Sequence, residues 1–319
     1  MALTYDQINS FCQTLVIPKI INNIYLSSAL AYRLLRKPKK WTGGTKYEVP
    51  ISFAKNTNAE AYSGTTQLTV AQVEEVTKTS FSPRQYNVAV KLTGIELAEN
   101  QGGPKVLNLV KEKMQLAESS LKDLFGTDII ADQAGVKLDG FGLIMKATGS
   151  TYGDLAPADV TTWESSSGSA GKYGGPDSST TSLTKLVLQK HYNSCKVDND
   201  KPTLLATTDD IFAGIESTII MPLMRYSDPK MAQLGFDNFK YKSCVVITDS
   251  HVAAGDLYML NENHLYFAVF PNMNFKFIPF SKGIPHDYDF QVAHIRWYGN
   301  LICDQRWSCG WMSALTGVA

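Results

Sequence analysis

Long apolar runs are missing from this chain. None approaches the roughly 18 residues that a bilayer span requires, and the N-terminus lacks the basic, then apolar, then small-residue order of a secretory signal. A soluble protein made inside a cell is expected. Cysteine is scarce: Cys12, Cys195, Cys244, Cys303 and Cys309 are odd in number, with no CxxC pair and no Cys/His cluster at zinc spacing. That excludes a disulfide framework and a zinc ribbon, and reads as reduced thiols in a cytoplasmic protein. An excess of one charge is absent too, because 30 Lys and Arg cancel 30 Asp and Glu. Nothing global points to nucleic acid or a membrane surface, and a net charge near zero favours association. What is present is an ordinary globular composition, 319 residues with 44% hydrophobic and 19% charged, enough for one large domain or two modest ones.

Catalytic motifs are equally scarce. In the Gly-rich stretch around Gly168, Gly171 and Lys172, Ser166 stands where a phosphate loop needs glycine and Tyr173 where it needs Ser or Thr. No GxGxxG, HExxH or GxSxG occurs, and His191, His251, His264, His286 and His294 stand apart. His286 with Asp287 and Asp289 reads as a polar turn beside Pro285 rather than a cation site. The expectation is therefore no enzyme, with no catalytic, cofactor-binding or metal-binding residues. Trp41, Trp163, Trp307 and Trp311 lack a surrounding basic patch and fit packing or interface roles.

Along the chain, Tyr5, Ile8, Phe11, Cys12 and Leu15 mark a short amphipathic helix, and a second follows Pro18 through Ile20, Ile21 and Ile24. The run "YRLLRKPKKW" carries Arg33, Arg36, Lys37, Lys39 and Lys40 without an acid; it is either a solvated basic loop or an arm reaching an acidic surface or nucleic acid. After Gly43-Gly44, Tyr47, Val49, Ile51 and Phe53 alternate as a strand does, with Pro50 on the other face, and the alternation returns at Tyr86, Val88, Val90 and Leu92. The simplest connection is a long antiparallel ribbon whose far part is "AYSGTTQLTVAQVEEVTKTSFSP". Legs of about 25 residues reach roughly 80 Å, whereas a compact chain of this length is about 50 Å across. Such a ribbon leaves its own domain.

Pro104 then opens the longest helix signal, with Leu107, Val110, Met114, Ala117, Leu121 and Leu124 leading to Phe125, Gly126 placed to end it, and Glu118 with Lys122 as an i,i+4 pair. A Ser/Gly-rich insert centred on "ESSSGSAGKYGGPDSSTTS" reads as a surface loop. Helices over "LTKLVLQKHYNSC" and "DDIFAGIESTII" alternate with strands "KPTLLATT", "SCVVITDS" and "DLYMLN". An aromatic β-rich run from Leu265 to Phe280 follows, and the chain closes on a strand pair broken at Gly299-Asn300, a good turn dipeptide.

This order resembles a known family. The segments "SALAYRLLRKPKKWTGG", "VPISFAKNTNAEAYSG", "FSPRQYNVAVKLTGIELAENQGG", "LAESSLKDLFGTDI", "GDLYMLN" and "VAHIRWYGNLICDQR" together are similar to the major capsid protein of a tailed bacteriophage, with the α+β Hong Kong 97-type fold. The resemblance implies an N-arm over 1–43, an extended E-loop over 44–93, the spine helix region of a P-domain over 94–134, mostly A-domain over 135–255, and return strands to the P-domain and the C-terminus over 256–319. It further implies a subunit that self-assembles into pentamers and hexamers of an icosahedral shell around double-stranded DNA. Its partners would be other copies of itself, a portal protein, the packaged DNA on the inner face, a decoration protein on some shells, and no membrane. It would be assembled in the host cytoplasm and reside in the virion. Because the arm starts at Met1, any scaffolding protein is expected to be separate. Lys46, Lys55 and Lys78 match no asparagine and acid partner, so no crosslink is expected.

Glu74, Glu75, Lys78, Phe81, Arg33 and Arg36 are the expected inter-subunit contacts, and Gly43, Gly44, Gly94, Gly102 and Gly103 the expected hinges. Deleting Asn56 to Thr79 is expected to leave a soluble monomer. The rival readings are an encapsulin-like cellular shell, an oligomeric enzyme with a dimerisation arm, and a nucleic-acid binder acting through the basic run.

Overall fold

The structure, a computed structural model, describes residues 10, 12–16, 19, 29–35, 38–99, 103–131, 135–146, 151–160, 163–166, 168–169, 181–196, 199–219, 238–282, 289–313 and 315–318. Arg36, Gly102, the helix expected after Pro18, the His286-Asp287 turn and most of the Ser/Gly-rich insert lie outside these residues.

Helix α1 (Ala29–Leu35) leads through β1 (Lys39–Lys40) into the strands β2 (Tyr47–Ser52) and β3 (Val76–Phe81). Then come β4 (Arg84–Thr93), the short α2 (Gly94–Glu99) and the long α3 (Gly103–Ile130). β5 (Gly168–Ser169) and β6 (Thr181–Leu183) precede α4 (Lys185–Ser194), β7 (Leu204–Thr207) and α5 (Asp209–Gly214). The remainder is β8 (Asn238–Tyr241), β9 (Cys244–Thr248), β10 (Leu257–Leu260), β11 (Leu265–Val269), β12 (Lys276–Lys282), β13 (Phe290–Cys303), β14 (Gly310–Ser313) and β15 (Leu315–Val318).

Two sheets organise the chain. In the first, β13 is the central strand: β4 pairs along one edge, from Phe290↔Thr93 to Gly299↔Arg84, while β12 and β11 follow one another along the other. Opposite residues in such pairs point to the same face. Tyr86↔Trp297, Val88↔Ile295 and Val90↔Ala293 therefore form one apolar face, and α3 lies on it through Val110, Met114, Ala117, Leu121, Phe125 and Ile129, which are buried at steps of three and four. The Phe125 ring meets Tyr86 at 4.8 Å and Trp297 edge-on at 5.0 Å. A T-x-x-E capping box starts α2: the Thr93 amide donates to Glu96 Oε2 (2.9 Å) and the Glu96 amide to Thr93 Oγ1 (3.4 Å).

Three expectations are corrected here. Gly126 does not end the long helix, which continues to Ile130 and is about 42 Å long at 1.5 Å per residue. Its glycine serves packing, because a Cβ there would lie 2.3 Å from the His251 ring. Gly299-Asn300 is not a turn but the interior of β13. A Cβ at Gly299 would meet the Ala268 carbonyl oxygen at 2.5 Å, and the Asn300 amide donates to Ser82 O (3.0 Å) and Asp139 Oδ2 (2.7 Å) within a buried network that also holds Arg84. The basic run is not a solvated loop: α1 occupies its first part, with Leu30, Leu34 and Leu35 in the core.

The second sheet has the order β5-β14-β10-β7-β9-β8, with β7 and β9 parallel. Leu204, Ala206, Val245, Ile247, Tyr258 and Leu260 face the main core, while Leu205, Val246, Leu257, Met259 and Met312 face a second cluster with Val187 and Leu188 of α4 and Ile211 of α5. Covered faces on both sides explain why these strands read as unbroken apolar runs rather than alternating ones. Of the strands from residue 256 onward, β11 to β13 lie in the first sheet, β10 and β14 in the second, and β15 pairs with β6. All five cysteines are buried, and none forms a disulfide. No helix among the described residues is long and apolar enough to cross a membrane.

Candidate functional site

The segment from Tyr47 to Phe81 is a hairpin that stands off the two sheets. β2 and β3 pair from Tyr47↔Phe81 to Ser52↔Val76, and a last rung runs from the Phe53 amide to Glu75 O at 3.0 Å. The ribbon expected to return through Tyr86 to Leu92 is corrected: β13 takes that strand, and β3 is the return leg. Beyond the last rung the legs stay side by side through side-chain bonds. Asn58 Nδ2 donates to Ala71 O (2.7 Å), the Ala71 amide donates to Asn58 Oδ1 (3.2 Å), and the Thr69 amide donates to Glu60 Oε1 (2.7 Å). A turn closes the tip, where the Thr66 amide donates to Ser63 O at 2.7 Å. From Phe81 to that turn the leg spans at most about 50 Å at 3.3 Å per residue, less than the roughly 80 Å that the longer ribbon implied. The outer part buries almost nothing: Tyr62, Leu68 and Val76 are exposed, and Val70 is 92% exposed.

The root, by contrast, is clamped. Gly153 (φ +63°) and Asp154 (φ +60°) both take the left-handed conformation in a tight turn closed by bonds between Tyr152 and Leu155, the pattern of a type I′ turn. The Ser80 amide donates to Gly153 O (2.9 Å), and the Phe81 ring lies against Gly153 and 5.0 Å from the Tyr152 ring. Lys46 and Ser80 both donate to the Asp154 carboxylate, which holds its pKa below the ordinary value. The Gly-Asp pair is a turn signal in the sequence, but nothing local reveals that this turn grips a hairpin 70 residues earlier in the chain.

On β2 the Phe53 amide points to β3, so the backbones of Glu48, Pro50 and Ser52 point outward, and the donor that proline lacks falls on the free edge. A cavity of about 420 Å³ runs beside that edge, with residues 49–53 on one side and Trp163, His264, Asp304 and Trp307 on the other. His264 sits between Asp304 (Nδ1 to Oδ1, 2.7 Å) and Asp200 (Nε2 to Oδ2, 3.0 Å), and the bond to Asp304 raises its pKa above the ordinary value. Both ring nitrogens face carboxylates, and no group of three or more His, Cys, Asp or Glu among the described residues is placed to hold a metal.

The expected contact residues divide. Glu74 is exposed and Glu75 half-buried on the return leg, and neither makes an ion pair with a described residue. Lys78 pairs across the ladder with Glu48 at 3.0 Å. Phe81 is corrected: it is 1% exposed in its own chain's core, so it anchors the hairpin and is not available to a neighbour. Arg33 is half-buried, and its guanidinium grips Glu262 of its own chain in two bonds of 2.7 and 2.6 Å. Of the glycines, Gly43 (φ +133°) and Gly44 (φ +89°) need positive φ where the chain enters the hairpin. Gly94 instead lets the Asp289 side chain approach, since a Cβ would lie 1.9 Å from its Oδ2, and Gly103 is the first residue of α3.

No protein-family model matches the chain, and no curated protein does. Solved structures do. The chain superposes on a chain of the cyanophage A-1(L) capsid asymmetric unit with a TM-score of 0.67 at 16% identity, over 90% of this chain and 92% of that one. It superposes on the SrpI encapsulin of Synechococcus elongatus with a TM-score of 0.56 at 11% identity, over 91% and 89%. The capsid of a native GTA particle gives 0.52 at 10% identity, over 90% of each chain. The chain therefore has the Hong Kong 97-type α+β capsid fold that the ordered segments imply.

Proposed function

We propose that the chain is a structural subunit of a closed shell, the major capsid protein of a tailed phage, assembling into pentamers and hexamers around double-stranded DNA. The observation that carries this reading is the hairpin: residues 54–72 add no side chain to the chain's own buried core and leave Tyr62, Leu68 and Val70 in solvent. Exposed apolar side chains on a projecting arm mark an interaction site, and the fold is that of proteins solved within capsids. Each copy lends its hairpin to the next and accepts one in return, a heterologous contact that closes into rings. A virion location, a separate scaffolding protein, a portal and a decoration protein belong to the same reading.

Electron microscopy and light scattering of the expressed protein, alone and with its scaffold, test it: megadalton shells are expected, and a discrete small oligomer overturns it. The informative deletion removes Lys55 to Glu74. Extending it to Thr79 would remove most of β3, including Thr79, which is buried and donates to Val49 O (3.3 Å), and would damage the root. The shorter deletion is expected to give a folded monomer; shells from it refute hairpin exchange. The encapsulin superposition favours a second reading, a cellular shell around cargo enzymes. Purified particles that carry protein cargo and no DNA select it.

A further inference from the structure

The last connection between the two sheets carries a pair of thiols. β13, the central strand of the first sheet, ends at Cys303, and β14 of the second begins at Gly310, immediately after Cys309. Both side chains are fully buried, and the Cys303 thiol donates a hydrogen bond to the Cys309 sulfur across the turn between them.

That turn is held from several sides. The Asp304 amide donates to His264 O (3.0 Å), and the Asp304 carboxylate meets His264 Nδ1 at 2.7 Å. The buried Arg306 guanidinium donates to Ile144 O (2.9 Å) and Trp163 O (3.0 Å), and the Ser166 amide donates to Cys309 O (3.1 Å). The two sulfurs are thus kept as neighbours by bonds on either side of them. Asp304, Gln305 and Trp307, which lie between them in the chain, line the cavity of about 420 Å³ beside β2, which brings solvent to the connection itself.

The two thiols differ in character. The hydrogen bond from Cys303, further bonds from the Asn261 amide and the Ser308 hydroxyl, and the charge of nearby His264 draw the Cys309 thiol below its ordinary pKa although it is buried. The same hydrogen bond, together with burial, pushes Cys303 well above it. Burial pushes Cys12 up to about 11 and Cys244 up to about 12, the behaviour of inert core thiols. An attacking thiol needs thiolate character, whereas a resolving thiol needs to lie within reach of the first.

We propose that Cys303 and Cys309 are an oxidisable dithiol, Cys309 attacking a peroxide and Cys303 resolving the product to a disulfide that staples the connection between the sheets. The Cys309 sulfur, having released its proton, attacks one peroxide oxygen; the O–O bond breaks, and the departing hydroxide takes up that proton as water. The Cys303 sulfur then attacks the Cys309 sulfur; the S–O bond breaks, and the hydroxyl leaves with the Cys303 proton as a second water. The two thiols are oxidised and the peroxide is reduced. The dithiol goes beyond the proposed shell and does not depend on it.

The test treats folded, full-length protein with hydrogen peroxide, alkylates the remaining thiols, then unfolds the chain and digests it with trypsin. Trypsin cuts after Arg296 and Arg306, so the pair falls on separate peptides, one starting at Trp297 and one at Trp307. Mass spectrometry is expected to find these two joined, and dithiothreitol to separate them. The oxidised protein is expected to melt about 5 °C above the reduced one, a rise that dithiothreitol reverses. In C303S, dimedone is expected to trap a sulfenic acid at Cys309; in C309S, Cys303 is expected to oxidise about tenfold or more slowly. Unjoined peptides from peroxide-treated wild type, or a link from either to Cys12, Cys195 or Cys244 instead, overturn the dithiol, and that result needs no variant. A melt that the joined pair leaves unchanged or lowers overturns the staple, and Cys303 oxidising as fast as Cys309 overturns the assigned roles.

Discussion

Strand β13 and the outer hairpin are both extended chain, and they answer opposite demands. β13 is hydrogen-bonded on both edges and buries Ala293, Ile295, Trp297 and the run from Gly299 to Cys303. Residues 54–72 have no strand partner beyond side-chain bonds and leave nearly every group in water. One region is made by the fold, whereas the other is held out by it. On the proposed shell reading, stability and assembly belong to separate places along this chain, so substitutions in the two regions should separate the two properties.

The largest effect is expected at Trp297, which is buried among Tyr86, Phe125 and Phe267. Trp297→Ala should cost about 4 kcal/mol of folding stability in urea unfolding and abolish assembly with it. Next, Asp139→Ala strips the carboxylate from Arg84 (2.7 Å) in a buried network, and a loss of about 3 kcal/mol is expected. A milder, pH-dependent effect belongs to His264. Its pKa is raised in the folded protein from 6.5, so its contribution is fully present below that value and is lost as pH rises through the folded one. Thermal melts near pH 6 and near pH 9 should show that loss, and His264→Gln should flatten it while removing about 1–2 kcal/mol at the acid end. The smallest effect on folding is expected at Val70, 92% exposed. Val70→Ser should change stability by less than about 0.5 kcal/mol yet reduce particle yield, and a variant that unfolds or assembles normally would erase the contrast between the two regions.

Much of the architecture was legible because its signals are local. Alternation placed β2 and β4, three- and four-residue steps placed α3, and unbroken apolar runs placed β7, β9 and β10. Pairing was not legible, since an alternating strand says which face is apolar and not which strand lies beside it; hence β4 was given to the hairpin and not to β13. Gly126 and Gly299 misled for the same reason. Each looks like punctuation along the chain, but each exists for a neighbour distant in sequence, His251 and Ala268. At the candidate site, the sequence singles out Glu74 and Glu75, which lie on the return leg of the hairpin, Glu74 exposed and Glu75 half-buried. The partners that Arg33 and Phe81 have within the chain, Glu262 and Tyr152, were not legible because the tertiary fold supplies them.

On the proposed shell reading, Pro50 limits how copies of this chain meet. A two-stranded hairpin that projects into solvent offers an open edge, and an open edge invites the edge of the next hairpin, then the next, in a stack with no natural end. The outward backbone of β2 is missing a donor in the middle of its row, so such a stack would carry a gap at every layer. Copies are thereby turned from zipping backbone to backbone toward meeting side chain to side chain, where geometry has a defined angle and a ring can close. A fibre and the proposed shell would begin from the same exposed arm, and one missing N–H would tilt the choice.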